Sequence, residues 1–191
     1  MMQKLTENEL MALVKPLPTA RYEVDFGWRY LNKTLRDFEN DYGGLDLTPD
    51  YQRGHVWAPE QQRAYIENVM RGVVSTAGMV IQFNCRNWHD ADHVKDSDLP
   101  VGFQCIDGLQ RLTAVTEYMA GNVMPFGRAV EEWDGTNWDT RRIGFRLKFA
   151  VYDFQYRYEV LDHYLALNAG GTPHSPEEIE RVRALRAAAQ R

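Results

Sequence analysis

From Ile143 to Val151 every odd position is apolar (Ile143, Phe145, Leu147, Phe149, Val151), while Arg142, Arg146 and Lys148 take alternate positions. A period of two puts the apolar set on one face of a strand, and such a face needs a covering layer. Segments of helical period supply it. Leu31, Leu35, Phe38 and Tyr42 recur at helical spacing and stop at Gly43-Gly44, where glycine can take the positive φ of a C-terminal cap. Leu112, Val115, Thr116 and Met119 mark a second helix that starts just after Asp107-Gly108 and stops at Gly121. Thr6 with Glu9 is a capping box for a short helix to about Val14, and Pro59 opens a helix ending near Gly72. A helix over Tyr158 to Leu167 follows the strand, and Ser175-Pro176-Glu177-Glu178 starts a final one carrying Arg181, Arg183, Arg186 and Arg191. Leu45 to Pro49, Met79 to Asn84 and Gly102 to Asp107 are further strand candidates. Strands that alternate irregularly with helices predict an α+β fold, a small mixed sheet covered by helices. The expected organisation is one domain overall, with amino-terminal helices over 1–44 packing on a core over 45–191.

Because 44% of the 191 residues are apolar and 12% aromatic, a substantial core is available and an intrinsically disordered chain is not expected. The net charge of -5 gives no global attraction to a polyanion, so any nucleic-acid contact must come from a local basic face. Arg142, Arg146 and Lys148 are the candidates, and the competing reading is a surface of solvated charges offset by acids. Cys85 and Cys105 are too few for a disulfide scaffold and lack metal-site spacing. Their expected role is as small apolar fillers. The start lacks an apolar signal core, and no run approaches the roughly 18 apolar residues of a membrane span. The expectation is a soluble, cytoplasmic protein.

Two polar motifs sit at strand-to-helix junctions. In Asp107-Gly108-Leu109-Gln110-Arg111 the glycine permits a tight exit from a strand, and unpaired N–H groups open the next helix. Arg111 can fork onto phosphate oxygens, Gln110 can orient a base or water, and Asp107 can hold a divalent metal or its waters. The alternative is that Asp107 caps the helix and Arg111 pairs with an acid. Tyr51-Gln52-Arg53-Gly54-His55-Val56-Trp57 places a guanidinium, an amide and aromatic rings in one turn, suited to base stacking and phosphate contact. Its alternative is a packed loop with Tyr51 and Trp57 completing the core. Asn168-Ala169-Gly170-Gly171-Thr172 is a third glycine-bearing turn, ahead of a capped helix. His89, Asp90, Asp92 and His93 are read as a solvated loop, and no zinc is assigned.

Three stretches in this order resemble the amino-terminal domain family of GmrSD-type modification-dependent restriction enzymes, related to the ParB/sulfiredoxin superfamily. They are Pro49 to Trp57, the strand leading to Asp107-Gly108-Leu109-Gln110-Arg111-Leu112-Thr113, and Leu167-Asn168 to Glu178. The resemblance implies a ParB/sulfiredoxin-like fold and nucleotide binding and hydrolysis, with the second motif in the nucleotide site. It places Tyr51, Gln52, Arg53, Trp57, Gly108, Thr113, Asn168, Gly170 and Gly171 around the nucleotide and Asp107, Gln110 and Arg111 at the catalytic position. Family members commonly show Asp-Gly-Gln-Gln-Arg; Leu109 here removes one amide from the expected site. The 191 residues leave no room for the HNH-type nuclease domain that often accompanies the module, so cleavage by that route is not expected.

The leading expectation is a domain that binds a nucleoside triphosphate, with Mg²⁺ at Asp107 and hydrolysis linked to DNA restriction. The alternative is a non-enzymatic regulator of phage or mobile-element type, binding DNA or a host or restriction-system protein. A metal-dependent nuclease at Asp107 ranks last, for want of further carboxylate ligands. The first two motifs are expected to meet in one pocket, with Asp107 near its floor and Asn168, Gly170 and Gly171 at its border.

Overall fold

The helices form where capping and periodicity coincide. In the computed structural model, which describes residues 4–89, 96–142, 144–168 and 175–189, Thr6 caps α1 (Glu7–Val14) and Gly43, at φ 89°, ends α2 (Leu31–Tyr42). Pro59 opens α3 (Pro59–Met70), Gly108 precedes α4 (Leu109–Met119), and α5 (Arg157–Asn168) and α6 (Pro176–Ala188) complete the set. Five strands, β1 (Tyr22–Gly27), β2 (Leu45–Asp46), β3 (Val80–Cys85), β4 (Phe103–Asp107) and β5 (Arg146–Tyr152), form one mixed sheet in the order β1-β5-β3-β4-β2. β5 runs antiparallel to β1 and parallel to β3, while β4 runs antiparallel to β3 and parallel to β2. The fold is α+β.

Both faces of the sheet are covered. Leu147, Phe149 and Val151 of β5, Ile81 and Phe83 of β3 and Phe103 of β4 point to α2, α3 and α4. On this face Phe38 stacks on Phe103 at 3.9 Å between centroids and meets Phe83 and Phe149. Each such ring contributes about 1.5–3 kcal/mol by leaving water. Ile106, Ala150 and Tyr152 point the other way, onto Val160, Leu161 and Tyr164 of α5 and Val182 of α6.

Three differences from the sequence reading stand out. Tyr22-Glu23-Val24-Asp25-Phe26 alternates with period two and pairs with β5, a strand that a purely helical reading of 1–44 passes over. β5 begins at Arg146, so Arg142 lies in the preceding turn, off the strand face; Ile143 lies outside the described residues. Leu109 is buried in the core, so the residue at this position does not face a cleft. Among the described residues no helix is long and apolar enough to cross a membrane.

Candidate functional site

The end of β4 is where the two motifs meet. Gly108 turns the chain from β4 into α4 at φ 99°, and a Cβ there would stand 2.7 Å from Ile81 Cδ1 and 3.1 Å from Ile81 Cα. Only glycine passes this close to β3 in that conformation. The Tyr51-Gln52-Arg53 loop is fastened to the strand from the other side. The Gln52 amide donates to the carbonyls of Cys105 (3.1 Å) and Ile106 (2.7 Å), and the Tyr51 hydroxyl reaches the Cys105 carbonyl at 3.4 Å. Gln110 completes the fastening from α4: its Oε1 accepts from the N–H groups of Val56 (2.9 Å) and Trp57 (3.1 Å), and its Nε2 donates to the Gly54 carbonyl at 2.6 Å. Two glutamines thus satisfy loop and strand-end backbone groups that would otherwise be left unpaired.

Asp107 sits at the centre. Its carboxylate pairs with Arg111, whose guanidinium also donates to the Val80 carbonyl at 3.0 Å. Arg111 acts on Tyr65, on the α3 side, while Arg53 and Asp107 both act on Tyr164, on the α5 side. Burial pushes the Tyr164 hydroxyl up to about 12, with Arg53 pulling it back. Arg53 is half-buried and has no ion pair or hydrogen bond among the described residues. Arg181 of α6 caps the same loop, donating to the carbonyls of Asp50, Tyr51 (3.2 Å) and Gln52 (3.3 Å).

The remaining expected residues divide between core and rim. Tyr51 is buried edge-on to Tyr164, and burial drives its hydroxyl well above the ordinary value, so it stays a neutral phenol. Trp57 packs on Tyr65 at 5.5 Å and belongs to the core. Thr113 is half-buried on α4, and its carbonyl accepts from the Thr116 hydroxyl at 3.0 Å. Asn168 ends α5 by donating to the Tyr164 carbonyl at 2.7 Å. Gly170 and Gly171, like Asp90, Asp92 and His93, lie outside the described residues. Cys85 and Cys105 are buried free thiols, and burial raises Cys105 far above the range of a reactive thiolate.

Sequence reasoning missed His163 and Gln82. Gln82 faces Asp107 across the β3–β4 pairing, and its Oε1 meets His163 Nε2 at 2.9 Å. That contact makes Nε2 the donor and leaves Nδ1 a buried acceptor without a partner among the described residues. The signal was present, since a histidine three residues after Val160 falls on the buried stripe of α5.

The three basic candidates are each paired with an acid: Arg142 with Asp139 at 3.4 Å, Arg146 with Asp25 at 3.5 Å and Lys148 with Glu23 at 3.0 Å. No group of three or more His, Cys, Asp or Glu side chains suited to a metal ion occurs among the described residues. A polar cleft of about 750 Å³ lies at the other end of the sheet, lined by Arg21, Tyr152, Asp153 and Phe154 among others. Arg21 and Asp153 close on each other at 3.0 Å across it.

Compared with known families, residues 31–167 match the one described as the GmrSD restriction endonuclease, N-terminal domain. That span holds α2 to α5 and both fastened motifs; α1, β1 and α6 lie outside it. No curated protein and no solved structure matches the chain.

Proposed function

The chain belongs to the family of the GmrSD restriction endonuclease N-terminal domain, and from that premise we propose that it is a nucleotide-binding module of a DNA-restriction system. In this reading the phosphates of a nucleoside triphosphate lie against Arg53 and the start of α4. A single observation carries the proposal. Gln52 and Gln110 bolt the two motifs together at the end of β4, and Arg53, half-buried in the fastened loop, has no ion pair or hydrogen bond among the described residues. Phosphate oxygens match a planar, permanently charged guanidinium, and free N–H groups at a helix start add to the attraction. A ParB/sulfiredoxin-like arrangement is consistent with phosphate binding at such a strand-to-helix turn.

Mg²⁺ belongs to this reading as part of the substrate. An ion that arrives on a triphosphate keeps most of its waters and needs one or two carboxylates, and Asp107 is the carboxylate at the turn. The chain itself offers no fuller cage among the described residues. Hydrolysis would then rest on positioning: Asp107 holds a metal-bound or attacking water, Arg111 fixes the Asp107 carboxylate, and Gln110 fixes the loop that carries Arg53.

One observation favours a second reading, a regulator that binds without turnover: the Gln52 amide nitrogen, both ends of the Gln110 amide and one Arg111 nitrogen are engaged in bonds within the protein. Thermal shift with ATP, GTP, CTP and DNA, each with and without Mg²⁺, alongside a phosphate-release assay, separates the two. A ligand at 100 times its Kd stabilises by about 2.7 kcal/mol. We expect a shift with a nucleotide that Arg53→Ala abolishes; release of phosphate marks the enzyme, and a shift without release marks the regulator. No shift with any nucleotide overturns both nucleotide readings.

A further inference from the structure

At its site end β4 carries one residue more than β3. Phe83 pairs with Cys105 and Gln82 with Asp107, so Ile106 is the extra residue of a β-bulge. In an unbulged ladder Asp107 would stand opposite Ile81, whose side chain points to α2, α3 and α4. The bulge sets it opposite Gln82 instead, and residues directly opposite in an antiparallel pair share a face. Gln82 alternates with Ile81 and Phe83 and so takes the α5 face, where its Oε1 meets His163 Nε2 at 2.9 Å. The charge of Asp107 acts on His163 and on Tyr164 of that same helix.

His163 is 3% exposed, its ring held against Tyr152 at 4.5 Å and Phe154 at 5.3 Å. Its Nδ1 has no partner among the described residues, and an unpaired buried nitrogen costs stability that a leucine in the same place would not. What the histidine supplies is the sense of the Gln82 amide: with Oε1 taken, the –NH₂ end is left for anything else. That end makes no hydrogen bond among the described residues, and Gln82 is only half-buried. Nor is it spent on Asp107, whose carboxylate is paired with Arg111. A group that can only donate fits one that can only accept. Phosphate oxygens are such acceptors, whereas a base edge mixes donors with acceptors.

We propose, resting on the nucleotide reading of this site, that Gln82 donates from its amide to a phosphate oxygen of the ligand beside Asp107, and that His163 is the positioning residue that holds the amide in that sense. Isothermal titration calorimetry with ATP and with inorganic triphosphate, each with Mg²⁺, tests both roles. Gln82→Met should weaken both ligands by about 10- to 100-fold, the range of a hydrogen bond to a charged group. His163→Leu should weaken them by less without lowering the melting temperature, and His163→Gln, whose amide nitrogen can stand in for Nε2, should recover most of the loss. Gln82→Met/His163→Leu leaves no polar atom of the pair unmatched, so it keeps the fold even where Gln82→Met alone strands Nε2. It should bind no more weakly than Gln82→Met, because both changes remove one contact. Wild-type affinity in Gln82→Met alongside lost affinity in Arg53→Ala overturns the role of Gln82 and leaves the nucleotide reading standing; a wild type that binds neither ligand overturns both. A loss for ATP with none for triphosphate would put the amide on the base and overturn the phosphate contact. Losses that add in the double variant would mean two unrelated effects and overturn the role of His163.

Discussion

At the scale of single residues, the polar groups of the two motifs separate into fasteners and ligand-facing groups. Gln110 makes three bonds to the 54–57 loop, and removing them leaves backbone groups unpaired. We expect Gln110→Ala to cost about 1–3 kcal/mol in urea denaturation. Arg111→Ala should weaken nucleotide binding, because Arg111 fixes the Asp107 carboxylate. Its bonds to Asp107 and the Val80 carbonyl argue for a clear loss of stability as well. Arg53→Ala is the contrast, expected to change stability by less than about 0.5 kcal/mol while removing the nucleotide response. His163 adds a pH dependence. Burial lowers its pKa below the ordinary 6.5, with Asp107 pulling the other way. Below 6.5 the unfolded chain takes up a proton that the folded one refuses, so this stabilisation is complete above 6.5 and lost as pH falls through and below it. Urea midpoints measured between about pH 7.5 and 5.5 should fall with pH in the wild type and fall less in His163→Gln.

At the scale of elements, α4 joins core to site. Leu112 is fully buried beneath it, and Leu112→Ala should cost about 2–5 kcal/mol, read as a lower denaturation midpoint. Gly108→Ala strains the αL turn and drives a methyl into Ile81, so a loss of about 1–3 kcal/mol is expected together with a weakened nucleotide shift. The helices and β3, β4 and β5 were legible because each carries its own period and its own cap or stop. β1 is the instructive omission. Its alternation is as regular as that of β5, but its six residues lie between helical signals and include two acids, which read as solvated until Lys148 and Arg146 are placed across from them.

At the scale of the whole molecule, a basic strand face that met DNA would have to do so through the β1–β5 ribbon. Lys148 and Arg146 must leave Glu23 and Asp25 to reach phosphates, and the net charge of -5 adds no pull. We expect weak DNA retention with a shallow salt dependence in the wild type. In Glu23→Gln/Asp25→Asn two cations are released, and the slope of log affinity against log salt should steepen by about 2. An unchanged slope would show that the ribbon does not touch DNA.

The sequence by itself determined the α+β class, the positions of the helices, the absence of a disulfide framework and the two strand-to-helix motifs. All of these follow from local period, capping and composition, which need no long-range contact to be read. The tertiary structure decided what those motifs do for one another. That Gln52 reaches the carbonyls of β4, that Gln110 grips the loop before α3, and that Arg111 is held by Asp107 and Val80 while Arg53 is left open depends on pairs about fifty residues apart or more, or on the β3–β4 register. A side chain's donors are the same whether it serves a ligand or a carbonyl. Which of the two it meets is set by the packing of β4 against its neighbours, and no local pattern carries that information.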